Sequence, residues 1–218
     1  MIEKKLKKGF DFLSRFYDLL LFISSGKTIV NSQVSLIKKL PQCSKALLIG
    51  EGTGNFLKEL AASGRAQRIV YLDISSGMCQ QAQNKLKTIN HQAEVEFRIG
   101  SFECLLEDEV FDLISTNYFL DVFTSDQLDV YIPLLASHLK EGGVWYCTDF
   151  YSPPKLRLKD HLFKPILAAL YLFFRLICRL PAHKLPPSFE KLAFYGLKEQ
   201  NTEYFLVGFI KSSISIKR

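Results

Sequence analysis

Three glycines within five residues are the first candidates for chemistry. Gly50-Glu51-Gly52-Thr53-Gly54 stands directly after a short apolar run, KALLIG (45–50), and directly before a helical pattern. Glycine lets the backbone turn tightly and lets a ligand approach the main chain closely. The spacing is G-x-G-x-G. The dinucleotide fingerprint G-x-G-x-x-G needs glycine at position 55, where Asn55 stands, and no phosphate-binding lysine follows as in a P-loop. Taken alone, the loop is equally an ordinary glycine turn. A carboxylate joins it: the next apolar run, RIVYLD (68–73), ends on Asp73. A carboxylate there can accept hydrogen bonds from both hydroxyls of a ribose held over the glycine loop. Its competing role is a helix cap, for which Ser75 and Ser76 are better suited. Met78 lies just inside the following helix, where it either covers one face of a base or fills the core.

These residues need a frame. Residues 3–40 are helical in spacing (Leu6, Phe10, Leu13, Tyr17, Leu20, then Val30, Val34, Ile37), interrupted at Gly26 and closed at Pro41. The pattern then alternates. Strands are expected at 45–50, 68–73, 94–100, 110–116 and 144–150. Helices are expected at 55–63, 76–86 and 126–139, the last bent at Pro133 and stopped by Gly142 and Gly143. Such alternation implies a parallel sheet. A long apolar and basic helix follows at 156–180, broken or bent at Pro165, then a loop with Pro181, Pro186 and Pro187. Residues 197–216 read as two strands turning near Gly208. The expected fold is one α/β domain: a Rossmann-like seven-stranded sheet of five parallel strands plus a C-terminal antiparallel hairpin. Its parts are a helical cap (1–40), a cofactor-binding core (45–150), an apolar helical insertion (155–190) and the hairpin (195–218). A Rossmann dehydrogenase would end in a sixth parallel strand instead.

Composition narrows the function. The chain has 218 residues, 48% hydrophobic and 23% charged, as in a globular protein, with a formal charge of +6. The basic residues cluster at Lys4–Lys8 and between Lys155 and Lys184, the second cluster interleaved with long apolar side chains. That interleaving favours a lipid or lipophilic partner over nucleic acid, and no RNA-binding sheet signature or zinc finger is present. Five scattered cysteines (Cys43, Cys79, Cys104, Cys147, Cys178) form neither a disulfide framework nor a metal site. Reduced thiols fit a cytoplasmic protein. The N-terminus begins like a signal peptide, but Asp11, Ser14, Arg15 and Asp18 interrupt it. The run 165–180 carries Arg175 and Arg179. It would reach only about 24 Å, short of a bilayer core of about 30 Å.

The motifs in order, KALLIGEGTGNFLKEL, IVYLDISSGMCQQA, VFDLIST and LASHLKEGGVWYCTDF, resemble those of class I S-adenosylmethionine-dependent methyltransferases. The resemblance covers about 45–150 and extends to the terminal hairpin. The segment FDFLSRFYDLLLFISSGK (10–27) is similar to the N-terminal segment of the ubiquinone/menaquinone C-methyltransferase group, which caps the cofactor with a tyrosine near the sulfonium; Tyr17 and Asp18 match that Tyr-Asp pair. The resemblance implies S-adenosylmethionine as cofactor and S-adenosylhomocysteine as product. It implies Gly50, Glu51, Gly52, Gly54, Asp73, Ile74, Met78, Ser101, Phe102, Asn117 and Tyr17 as cofactor-binding residues. Two positions depart from the family. The acid usual two residues before the first glycine is Leu48, for which Glu51 is a substitute. The aspartate usual after the third strand is Ser101, where Ser101 or Glu103 could accept from the adenine amino group and Phe102 could stack.

After the fourth strand comes Thr116-Asn117-Tyr118-Phe119, without the prolines of the Asn/Asp-Pro-Pro-Tyr/Phe motif of nucleic-acid and glutamine N-methyltransferases. Tyr118, Phe119 and Tyr151 are the substrate-binding candidates, with core-filling aromatics as the alternative. Methyl transfer from a sulfonium needs alignment and exclusion of water. A carbon or phenol acceptor also needs a base, for which Asp121, Tyr17 and His161 are the candidates, with Tyr151 behind them. No metal is expected. Along the insertion, Lys164, Ala168, Leu172, Arg175 and Arg179 fall on one side. Two readings stay open: a lid over a small lipophilic acceptor that also rests on a membrane surface, or a helix packed on the sheet or at a homodimer interface. The leading expectation is a small-molecule methyltransferase. A non-catalytic methyltransferase-like module and a nicotinamide-dependent oxidoreductase are the alternatives.

Overall fold

A computed structural model describes residues 2–14, 27–152, 157–178 and 181–218. The axis of the molecule is β1 (Cys43–Ile49), in which Ala46, Leu47, Leu48 and Ile49 are all buried. A strand hidden on both faces reads as a continuous apolar run because helices cover each side of a parallel sheet. The other strands are β2 (Ala66–Asp73), β3 (Glu94–Ile99), β4 (Phe111–Asn117), β5 (Leu139–Phe150), β6 (Leu197–Phe205) and β7 (Ile210–Lys217). Among the described residues they form one seven-stranded sheet in the order β3-β2-β1-β4-β5-β7-β6. β1 to β5 are parallel, and β7 runs antiparallel between β5 and β6.

The helices are α1 (Ile2–Ser14), α2 (Thr28–Val34), α3 (Asn55–Ser63), α4 (Ser76–Leu86), α5 (Ser125–Ser137), α6 (Arg157–Cys178) and α7 (Ser188–Phe194). Successive side chains of β1 serve opposite faces. Ala46 and Leu48 join Phe56, Leu60, Cys79 and Ala82 of α3 and α4. Leu47 and Ile49 join Leu128, Ile132 and Leu135 of α5 and Phe189 and Leu192 of α7. A small third cluster, Leu13 and Cys178 with Phe10, Val122, Phe174 and Ile177, binds α1 to α6. The sheet reverses its strand order between β1 and β4, so their carboxyl ends open the crevice where ligands of open α/β sheets sit.

Three expectations are corrected. Gly142 and Gly143 do not stop a helix. α5 ends at Ser137, and β5 starts at Leu139 and runs through both glycines. Their place is a register shift against β4 between Phe111 and Leu113, taken up by Gly142 at φ +74°, while a Cβ on Gly143 would lie 2.7 Å from the Lys140 carbonyl oxygen. Of the two expectations at Pro165, broken or bent, the break is overturned: α6 is one helix through it. The loop expected after Pro181 contains α7, closed by Gly196 at φ +85°.

Candidate active site

Gly50, Gly52 and Gly54 all take left-handed backbone, with φ of +62°, +64° and +80°. A Cβ on Gly54 would meet the Ala82 Cβ at 2.6 Å and its Cα at 2.8 Å, so the loop lies tight against α4. The loop is pinned from three sides. The Gly50 N–H donates to the Leu72 carbonyl oxygen at 2.9 Å, and the Tyr71 hydroxyl donates to that of Gly52 at 2.6 Å. Lys85 Nζ donates to Thr53 Oγ1 at 2.9 Å and Asn55 Oδ1 at 2.6 Å.

Glu51 turns inward from this loop. Its carboxylate accepts from Ser115 Oγ at 2.6 Å and from Asn117 Nδ2 at 3.0 and 3.1 Å. All three side chains are buried, and Asn117 Oδ1 has no hydrogen-bond partner among the described residues. Burial pushes the Glu51 carboxyl up to about 8 against the pull of those donors, the Asp73 carboxylate adding to the rise. Leu48, at the position where the family carries an acid, is part of the core. The carboxyl at the head of β1 therefore comes from the loop.

Asp73 ends β2 beside the loop. It is buried, accepts the Ser75 N–H at 2.8 Å, and is pushed up to about 7 mainly by burial. Ser75, not Asp73, caps α4, its hydroxyl accepting the Met78 N–H at 3.1 Å. α1 crosses this corner. Asp11 Oδ1 accepts from Ser75 Oγ at 2.6 Å and from the Gly77 N–H at 3.1 Å, satisfying donors at the start of α4. A Cβ on Gly77 would lie 2.4 Å from Ser14 Oγ. Ile74 is half-buried and Met78 fully buried. Ser101 donates to Glu103 at 2.8 Å.

The next loop holds a second set of acids. Asp149, near the end of β5, is wholly buried. It accepts the Asp121 N–H at 3.0 Å and the Phe150 N–H at 2.8 Å. Asp121 is itself buried, and its Oδ1 has no partner among the described residues. Burial raises both carboxyls well above the usual carboxylate range, and each disfavours ionisation of the other. Tyr171 of α6 roofs them, its hydroxyl donating to the Asp121 carbonyl oxygen at 3.1 Å. An aromatic cluster stands against the glycine loop. Phe119 sits so close over Gly50 that a Cβ there would fall 2.1 Å from its ring. Phe119 packs edge-on against Phe102 and Phe123, and Tyr131 closes the group.

The structure thus brings Gly50, Glu51, Gly52, Gly54, Asp73, Asn117, Phe102, Phe119 and Asp121 to one end of the sheet. Tyr118 turns aside at φ +52°, and its hydroxyl shares a 2.8 Å hydrogen bond with Ser32 of α2. Tyr151 packs on Phe189 and Tyr204, under Lys211. His161 lies on α6, but its side chain is outside the described residues, as are Tyr17 and Asp18. Sequence reasoning passed over Asp11, Asp149 and Tyr171. The available signal for Asp149 was an acid inside the apolar strand VWYCTDF.

Residues 46–143 match a family model described as a methyltransferase domain. Among solved structures, the chain is similar to the N-methyltransferase NodS from Bradyrhizobium japonicum in complex with S-adenosylhomocysteine (16% identity, 87% of this chain and 83% of that one, TM-score 0.58). It is also similar to the magnesium protoporphyrin IX methyltransferase from Synechocystis with bound S-adenosylhomocysteine (17%, 90% and 84%, TM-score 0.61). A third likeness is to a cyclopropane synthase from Mycobacterium tuberculosis (15%, 88% and 83%, TM-score 0.64). A search of curated proteins finds no match.

Proposed function

We propose that the chain is an S-adenosylmethionine-dependent methyltransferase of class I that methylates a small lipophilic or aromatic acceptor, with Asp121 as the proton acceptor. The observation that carries this reading is the aromatic cluster of Phe102, Phe119, Phe123 and Tyr131, seated on the glycine loop through Phe119, together with the buried Asp121 carboxyl two residues further on, one oxygen of which has no partner among the described residues.

The residues fit the cofactor. Three left-handed glycines turn the loop tightly at the end of β1. Asn117 Oδ1 is a buried acceptor awaiting a donor, which an ammonium supplies, and Glu51 beside it gains from a nearby cation. Asp73 would take the ribose hydroxyls, and Ile74, Phe102 and Ser101 would lie along the adenine. When bound, S-adenosylmethionine supplies an electrophilic methyl group on a sulfonium leaving group. This chain's own residues then align, exclude water and remove a proton. The aromatic cluster holds a flat apolar acceptor by area and ring contact. Asp121, kept above the usual carboxylate range by burial beside Asp149, has the proton affinity of a base working near neutral pH. Asp149 positions it by holding the Asp121 N–H. The Tyr171 hydroxyl ties the same loop to α6 and shields it from water. The similarity of Phe10–Lys27 to quinone C-methyltransferases and their lipid-directed relatives supports the lipophilic side of this reading.

Calorimetric titration with S-adenosylmethionine is the first test. Stoichiometric binding, abolished in Gly52→Arg, is the expected result. Transfer of labelled methyl from it to a panel of hydrophobic phenols and quinols, against polar amines, then tests the acceptor. Transfer confined to the amines overturns the lipophilic assignment.

A further inference from the structure

Charge and greasiness are concentrated on two helices that pack on each other. Together α1 and α6 carry eight lysines and arginines against Glu3, Asp11 and Asp160, which is +5 of the chain's formal +6. The rest of the molecule is nearly neutral. Within α6, Tyr171 and Cys178 are buried and Phe174 and Ile177 half-buried, all turned to the protein. The opposite side exposes Pro165, Ala169, Leu172, Phe173 and Leu176, with Arg175 on its flank. Leu172 is 55% and Leu176 74% exposed. Alongside, Phe12 of α1 is 61% exposed and Lys8 is exposed. The two helices cross where Gly9 meets Cys178, a contact so close that a Cβ on Gly9 would lie 2.5 Å from the Cys178 Cα.

We infer that this α1–α6 face docks on an anionic lipid surface. An apolar stripe flanked by lysine and arginine is the composition of a helix lying in the membrane interface, apolar side chains among the acyl chains and cations among the headgroups. With 22 residues α6 is about 33 Å long, but no helix among the described residues is apolar enough to cross a membrane. A second copy of the chain is the poorer occupant. A two-fold pairing would bring Lys8 and Arg175 of each copy toward those of the other across a face of like charge. The inference goes beyond the methyl transfer reading and does not rest on it.

Flotation with vesicles of phosphatidylcholine, with and without phosphatidylglycerol, tests it on the full chain. The protein floats with the anionic vesicles only, and raised salt releases it. Leu172→Glu/Leu176→Glu, at exposed positions, weakens partition by roughly a hundredfold. Lys8→Glu and Arg175→Glu weaken it by at least roughly fivefold each. Phe194→Ser, which removes an 80% exposed ring elsewhere, leaves it unchanged. Absence of binding to anionic vesicles at low salt overturns the inference. So does equal binding by the double glutamate variant, checked for an unaltered melting temperature. So does a stable dimer in sedimentation that this variant dissociates while vesicles are ignored. Calorimetric cofactor binding, measured separately, tells a failure here from a failure of the methyltransferase reading.

Discussion

Glu51 and Asp121 are both acids buried at the carboxyl end of the same sheet, yet they are held in opposite ways. Glu51 receives three hydrogen bonds from Ser115 and Asn117. Asp121 has its backbone N–H fixed by Asp149 and one carboxyl oxygen left bare. A saturated carboxyl is part of the frame: it shapes a charge well and stays put. A carboxyl with an unused buried oxygen carries a free-energy cost that persists only if something else recovers it. On the proposed reading, the β1–β4 side holds the cofactor and the β4–β5 side takes the proton.

The largest expected effect breaks the division if it fails. Asp121→Asn keeps the shape of the side chain and removes the base. For a carbon or phenol acceptor kcat falls by roughly 10²–10⁴-fold, while the cofactor Kd from calorimetry stays within about twofold. Wild-type kcat in this variant would transfer the base to another group. Next, Asp73→Ala weakens cofactor binding by roughly 10–100-fold, the worth of hydrogen bonds to a charged group, and leaves kcat at saturating cofactor nearly intact. A loss confined to kcat would place Asp73 on the wrong side of the comparison.

Glu51→Gln sharpens the contrast through pH. The buried Glu51 carboxyl ionises near 8 without a cation, so cofactor affinity in the wild type climbs between pH 6 and pH 8, by up to roughly tenfold per unit. Glutamine flattens that climb, and an unchanged pH slope in the variant would detach Glu51 from the cofactor. The smallest effect is on stability. Glu51, Asp73, Asp121 and Asp149 are all raised by burial. Folding therefore favours their protonated forms. That stabilisation is complete below about pH 4 and is lost as pH rises through the folded values. The cofactor-free protein melts several degrees lower at pH 8.5 than at pH 6, at roughly 2–4 °C per kcal/mol. Scanning fluorimetry across pH reads it, and Asp121→Asn flattens the slope.

What the sequence told and what it hid divides along physical lines. α3 and α4 were legible to the residue, because a glycine loop and a serine cap each mark where a helix must start. The buried run of β1 and the hairpin were legible from apolar patterning. Gly142-Gly143 was misread because the same residue ends helices and absorbs strand bulges, and only the partner strand tells which. α7 was missed because Pro181, Pro186 and Pro187 read as loop, although proline next to a helix start is common. At the site, Gly50 to Gly54 and Asp73 stood out by spacing. Asp149 did not, since its importance lies in who is beside it. Phe119 was named for substrate, but its seat over Gly50 follows from the turn at Tyr118, which no local pattern announces.

The Gly9–Cys178 contact also has a consequence in time. The ribosome releases α1 before α6, and the surface against which Gly9 fits is synthesised about 170 residues later. At roughly 5–20 residues per second, that face of the helix waits roughly ten to thirty seconds for its partner. Asp11 can meet the start of α4 well before that, so α1 seats in two stages, first on α4 and only later on α6.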